Sequence, residues 1–213
     1  MRVHLFVPSD PATLDKAAAS GADALWLKGP IGADALRAAQ QRAANPKLYV
    51  CLGALNGAFD NDLDAAMCAA PDGIVLPTCN GADVQHLGIK LAVREAELGL
   101  ADGATQIIAL VAASGTIFQL GSFVSASPRL VALAFDAQAF AASLEIADLS
   151  APPLDLARNL TLLAARAAGV AAILADDAVA NSPDAGKAAK RDGFDAILVR
   201  DPADIASARA NLK

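Results

Sequence analysis

The chain has 213 residues and a mass of 21.5 kDa, with 55% of positions apolar and 19% charged, enough for one sizeable core and too little for two. The 17 Lys+Arg against 23 Asp+Glu give a net charge of -6 and a pI near 4.8, and with no basic run anywhere no nucleic-acid partner is expected. Seven Phe, one Trp and one Tyr are too few for a stacking platform, so recognition is expected to be mostly polar.

The 53 alanines favour helices without supplying bulky side chains. The N-terminal apolar stretch reaches Pro8, Ser9 and Asp10 too soon for a signal-peptide core, so a cytoplasmic location is expected. Apolar strands are predicted at Val3–Pro8, Ala24–Lys28, Leu48–Gly53, Gly73–Pro77, Gln106–Ala112, Leu130–Phe135, Val170–Ala175 and Ala196–Arg200. Amphipathic helices are predicted at Asp10–Ser20, with Pro11 first, then Asp34–Ala44, Asp62–Ala70 and Ala82–Leu100. Further ones are predicted at Ile117–Ser125, Leu154–Ala168, Pro183–Arg191 and Pro202–Leu212. Ala151-Pro152-Pro153 is expected to act as a helix breaker. The longest uncharged stretch, 26 residues from Gly103 to Pro128, is long enough to span a membrane. Its scattered Gln, Ser, Thr and Gly fit a buried strand followed by a buried helix better, so no membrane partner is expected.

Successive strands start about 20 to 40 residues apart, the spacing of a βα unit. Near-continuous apolar strands suit a parallel sheet covered by helices, and eight of them predict a single (β/α)8 TIM barrel over residues 1–213. An open doubly wound sheet is the rival, though eight units would make it unusually wide. Gly21-Ala22-Asp23-Ala24 is echoed by Gly193-Phe194-Asp195-Ala196, and more loosely by Pro71-Asp72-Gly73.

Barrel chemistry sits where strands end. Lys28 is the only lysine at such a position and is a candidate for a Schiff base with a carbonyl substrate; a solvated rim lysine is the plainer role. Cys51 and Cys79 lie on adjacent strands, and a nucleophilic Cys51 would need its pKa lowered by Lys28. Asp136, Asp176, Asp177 and Asp201 carry carboxylates, yet each stands where a helix N-cap is wanted. Ser9, Thr78, Cys79, Ser114 and Arg200 complete the candidate substrate-binding set, with Lys28, Cys51 and Asp136 as the catalytic candidates. The three cysteines and two histidines lack zinc spacing, so no metal and no cofactor is expected.

The opening Arg2-Val3-His4-Leu5-Phe6-Val7-Pro8 with Gly21-Ala22-Asp23-Ala24 resembles the citrate lyase beta-subunit-like proteins of the HpcH/HpaI aldolase superfamily. Pro71-Asp72-Gly73-Ile74-Val75-Leu76-Pro77, Ala109-Leu110-Val111, Ser127-Pro128-Arg129-Leu130 and Gly193-Phe194-Asp195 continue the likeness. It implies carbon–carbon bond cleavage or formation in a small oxo-acid or acyl-CoA ester, on a Mg2+ held by a Glu and an Asp, with an Arg gripping the substrate carboxylate. In this chain those positions correspond to Ala112, Ala139 and Cys51, and the acidic stretch after the second strand to Lys28-Gly29-Pro30-Ile31. The family's C-terminal extension, which helps cover a neighbouring subunit's active site, has no counterpart after the eighth unit. A divergent lyase without the usual Mg2+ site is therefore expected, likewise a homo-oligomer and a small carboxylic acid as partner. The alternatives are a non-catalytic pseudoenzyme binding a small acid or a partner subunit, and an isomerase working by proton transfer through the aspartates.

Overall fold

Strand alternation decides which side chains enter a barrel, because successive residues point to opposite faces of the sheet. In a computed structural model, which describes residues 1–8, 11–29, 46–78, 80–175 and 185–210, β1 (Arg2–Val7) turns Val3, Leu5 and Val7 outward under the helices. His4 and Phe6 go inward. The same rule places Leu25 and Leu27 of β2 (Ala24–Lys28) outside and Ala24 and Trp26 inside. The sheet continues through β3 (Lys47–Cys51), β4 (Gly73–Pro77), β5 (Gln106–Val111), β6 (Leu130–Asp136), β7 (Ala171–Ala175) and β8 (Ala196–Val199). All neighbours are parallel, and β8 pairs back onto β1 to close an eight-stranded barrel in chain order. This is the (β/α)8 architecture; the open sheet is ruled out.

The described helices are α1 (Pro11–Ala19), α2 (Phe59–Met67), α3 (Gly81–Leu98), α4 (Ser114–Ile117), α5 (Ala137–Ser143), α6 (Pro152–Ala168), α7 (Ala185–Asp192) and α8 (Asp204–Ala210). The helix predicted at Asp34–Ala44 lies outside the described residues. Three helical expectations are corrected. The single helix expected over Ile117–Ser125 is a four-residue turn of α4 and a 3-10 turn at Leu120–Phe123, with only Leu120 and Phe123 of that turn buried. α5 was not anticipated; Asp136 nucleates it by accepting a hydrogen bond from Ala139 N–H (3.0 Å). Pro152 and Pro153 start α6 rather than break it, since the first helical turn has no use for their missing N–H groups. Among the described residues no helix is long and apolar enough to cross a membrane.

The repeated Asp before a strand, in Gly-x-Asp at Asp23 and Asp195 and in Pro-Asp-Gly at Asp72, has a structural cause at the lower rim of the barrel, where the strands begin. Each Asp stands just before one strand and satisfies the first free N–H of the strand before it. Asp23 accepts from Val3 N–H, Asp72 from Leu48 N–H and Asp195 from Ala172 N–H, all at 2.8 Å. Arg209 of α8 holds Asp23 (2.9 Å) and the Gly21 carbonyl. In the same way Arg166 of α6 holds Asp195 (2.9 Å) and the Gly193 carbonyl. At β5 the charges are exchanged. Glu95 of α3, 1% exposed, accepts from Thr105 N–H (2.7 Å), Gly103 N–H (2.9 Å) and Arg129 (2.8 Å).

Candidate functional site

At the upper end of the barrel, where the strands finish, a cavity of about 430 Å3 opens among the strand ends. Four polar side chains singled out from the sequence, Lys28, Cys51, Asp136 and Arg200, line it together. They meet because parallel strands all deliver their last residues to one face; Lys28 and Cys51 are register partners on β2 and β3. Its walls are apolar, formed by Phe6, Trp26, Val75, Pro77, Leu110 and Leu198. Arg200 places its guanidinium carbon 5.2 Å from the centre of the Phe6 ring, a cation–π contact that fixes its direction.

Cys51 has a definite electrostatic state and Asp136 a structural task. Burial pushes the Cys51 thiol up to about 12, with Asp136 adding to the rise and Arg200 and Lys28 opposing it. The lowered pKa that a nucleophilic cysteine needs is therefore not produced by Lys28; desolvation wins over two nearby cations. Asp136 uses Oδ1 to cap α5, as its alternative role anticipated. Asp201 likewise caps its own turn through Ala203 N–H (2.8 Å).

Thr78 and Ser114 do not line this cavity. Thr78 is buried, its hydroxyl 2.8 Å from the Asn80 carbonyl and 3.0 Å from Asp83, inside the capping box that starts α3. Ser114 begins α4, its N–H donating to the Ser143 hydroxyl (3.0 Å). Ser9, Cys79, Asp10, Asp176 and Asp177 lie outside the described residues. Phe6 and Trp26 were missed as wall residues, although counting back two positions from Lys28 reaches Trp26 by strand parity alone.

The family model for HpcH/HpaI aldolase/citrate lyase matches residues 2–202. The citrate lyase beta subunit of Leuconostoc mesenteroides subsp. cremoris is 28% identical over 189 residues, 80% of this chain. The chain spans only 62% of that relative's length. RipC from Yersinia pestis is 25% identical with a TM-score of 0.72, over 100% of this chain and 95% of that one. CitE from Mycobacterium tuberculosis, solved with magnesium and acetoacetate, shares the fold at a TM-score of 0.78 and 24% identity, over 100% of this chain and 90% of that one. A closed barrel matched by the family model from its first strand to beyond its eighth settles the relationship: the chain belongs to the HpcH/HpaI aldolase/citrate lyase family.

Proposed function

We propose that the protein binds a small oxo-acid in the mouth of the barrel without a divalent ion and acts on it as a carbon–carbon lyase. The observation that carries this reading is the convergence of Lys28 and Arg200 on one cavity whose described lining holds a single carboxylate, Asp136. Two cations beside one carboxylate attract an organic acid and repel Mg2+, which needs several hard oxygen ligands. The described donor set does not fit that ion. In this reading Arg200 grips the substrate carboxylate. Lys28 gives up its ammonium proton to solvent, its amine attacks the carbonyl carbon, and water leaves to form an iminium. The breaking carbon–carbon bond sends its electron pair to that iminium, any β-hydroxyl proton passes to Asp136, and protonation and hydrolysis of the enamine release Lys28.

Borohydride reduction in the presence of oxaloacetate or pyruvate, with and without Mg2+, tests it. A reduced adduct on the Lys28 peptide, independent of Mg2+ and absent in Lys28→Ala, is expected. A Mg2+-dependent reaction that survives Lys28→Ala would sink it. A second reading, a non-catalytic acid-binding relative, is favoured by Cys51 being held protonated and Asp136 being occupied as a cap. Metal-independent thermal stabilisation by the acid with no adduct would select it. We further propose a cytoplasmic location and, supported by Ile89, Phe118, Leu156 and Leu163, all more than half exposed, a homo-oligomer.

A further inference from the structure

A second cavity, about 820 Å3, opens at the opposite end of the barrel, where the strands begin. Barrel interiors are ordinarily filled by layers of bulky branched side chains. Here the lower inward positions of β6, β7 and β8 include Ala132, Ala171 and Ala196, small side chains that line the cavity beside Ile173. The space has two unlike walls. Val131, Ala132, Ala171, Ile173 and Phe194 make one side apolar, whereas Arg2, His4, Lys47, Tyr49 and Gln106 make the other polar.

The polar wall is built to present donors. The indole N–H of Trp26 can only donate, so His4 Nδ1, 3.1 Å away, is the acceptor, and the neutral ring carries its proton on Nε2. His4 is 6% exposed, and Nε2 has no partner among the described residues. Lys47 Nζ can also only donate. Both it (3.3 Å) and the Tyr49 hydroxyl (3.1 Å) point at Gln106 Oε1, which turns the amide nitrogen of Gln106 away with no protein partner among the described residues. Gly73 makes this arrangement possible. A Cβ there would stand 2.6 Å from the Gln106 carbonyl oxygen and 2.8 Å from the Tyr49 ring, so only glycine lets that ring lie against the strand. Four cations, Arg2, Lys47, Arg166 and Lys190, line the opening with one carboxylate, Asp195, already engaged with Arg166 and Ala172 N–H; Asp23 and Asp72 stand on the same rim, each engaged with a strand N–H.

We infer that this lower cavity is a second binding site, for a small organic carboxylate with a short apolar body. The carboxylate meets His4 Nε2–H, the Gln106 amide and Lys47; the body lies on the alanine-lined wall. It is separate from the mouth. Trp26 lines the upper cavity and His4 the lower, so their hydrogen bond is part of the floor between the two.

Trp26 is the only tryptophan, so its fluorescence reports on that floor. Titration with hexanoate is expected to change the emission saturably. Lys47→Ala should weaken binding about tenfold, the effect of losing one charge-assisted contact. Ala171→Leu, which puts a bulky side chain on the apolar wall where the ligand's body would lie, should abolish binding while circular dichroism shows an intact barrel, and Arg200→Ala in the mouth should leave hexanoate binding unchanged. Hexanol and inorganic phosphate, each lacking half of the ligand, should bind at least about tenfold more weakly. The inference is overturned by an absence of saturable change, by phosphate binding as tightly as hexanoate, or by binding that survives Ala171→Leu and disappears in Arg200→Ala.

Discussion

Replacing Glu95 by Ala removes a carboxylate that three donors share in the interior. Arg129, 8% exposed, loses its buried partner, and the N–H groups of Gly103 and Thr105 lose their acceptor. Removing one member of a buried ion pair costs about 3–5 kcal/mol, chiefly because the other charge stays buried without compensation. Arg129 still reaches Asp102 at 2.5 Å, and Asp102 is 90% exposed, so part of the charge remains balanced at the rim. That places the expected loss near the lower end, about 3 kcal/mol, or about 6–12 °C in Tm for a chain of this size. Glu95→Gln, which keeps one acceptor oxygen, should fall between the variant and the parent. The neighbouring surface pair sets the contrast: Arg94 meets Asp64 at 2.6 Å, but Asp64 is 54% exposed, so Arg94→Ala should cost under about 1 kcal/mol. Urea unfolding followed by circular dichroism measures all three. A loss below about 1 kcal/mol for Glu95→Ala would refute the reasoning, because the pair would then be behaving as a surface contact despite its burial. The carboxyl itself titrates below its ordinary range: burial, which raises it, is outweighed by Arg129 and the N–H groups of Thr105 and Gly103. Its contribution is therefore present above the ordinary Glu pKa and lost as the pH falls through the depressed folded value.

His4 predicts a second acid dependence. Burial, opposed by Asp23 and reinforced by Arg2, lowers it from 6.5 to about 4, so between those values the unfolded chain binds the extra proton. Stability is full above about pH 6.5 and should fall by on the order of 3 kcal/mol as the pH approaches 4; His4→Gln, which cannot titrate, should flatten that part of the profile, and an unchanged slope would count against it. Gly73→Ala should destabilise by about 1–3 kcal/mol through the overlap with Tyr49 and Gln106, and a neutral effect in urea unfolding would show that the ring is not held there. With a pKa near 12, Cys51 has a thiolate fraction on the order of 1 in 10,000 at pH 8. Peptide-level mass spectrometry after brief iodoacetamide treatment should find exposed Cys68 modified well before Cys51, and the reverse order would overturn the assignment.

The strands were legible because their outward residues had to be apolar over the whole length of each. Ala24–Lys28 and Gly73–Pro77 occur as expected, and the other strands differ only by a residue or two at their ends. Much of the mouth was legible for a related reason: in a parallel barrel the last residue of every strand reaches the same face, so Lys28, Cys51, Asp136 and Arg200 needed only correct strand ends to be grouped. Thr78 and Ser114 escaped this logic because the local need to cap or begin a helix engages each of them. The uncharged stretch from Gly103 to Pro128 misled for the opposite reason. Its composition allowed a buried helix, but a 3-10 turn inserts Leu120 and Phe123 and then stops, leaving Phe118 and Val124 exposed.

Periodicity and turn residues by themselves determined the number of βα units, the parallel sheet and the side of the barrel on which the strand ends gather, since these follow from local patterns and chain connectivity. The charge state of Cys51, the tautomer of His4 and the empty volume at the lower end were decided only by the tertiary structure. Each depends on groups from several strands at once: a thiol among three charges, an imidazole beside one indole, and alanines whose small size matters only when neighbouring strands gather them on one side of the barrel interior.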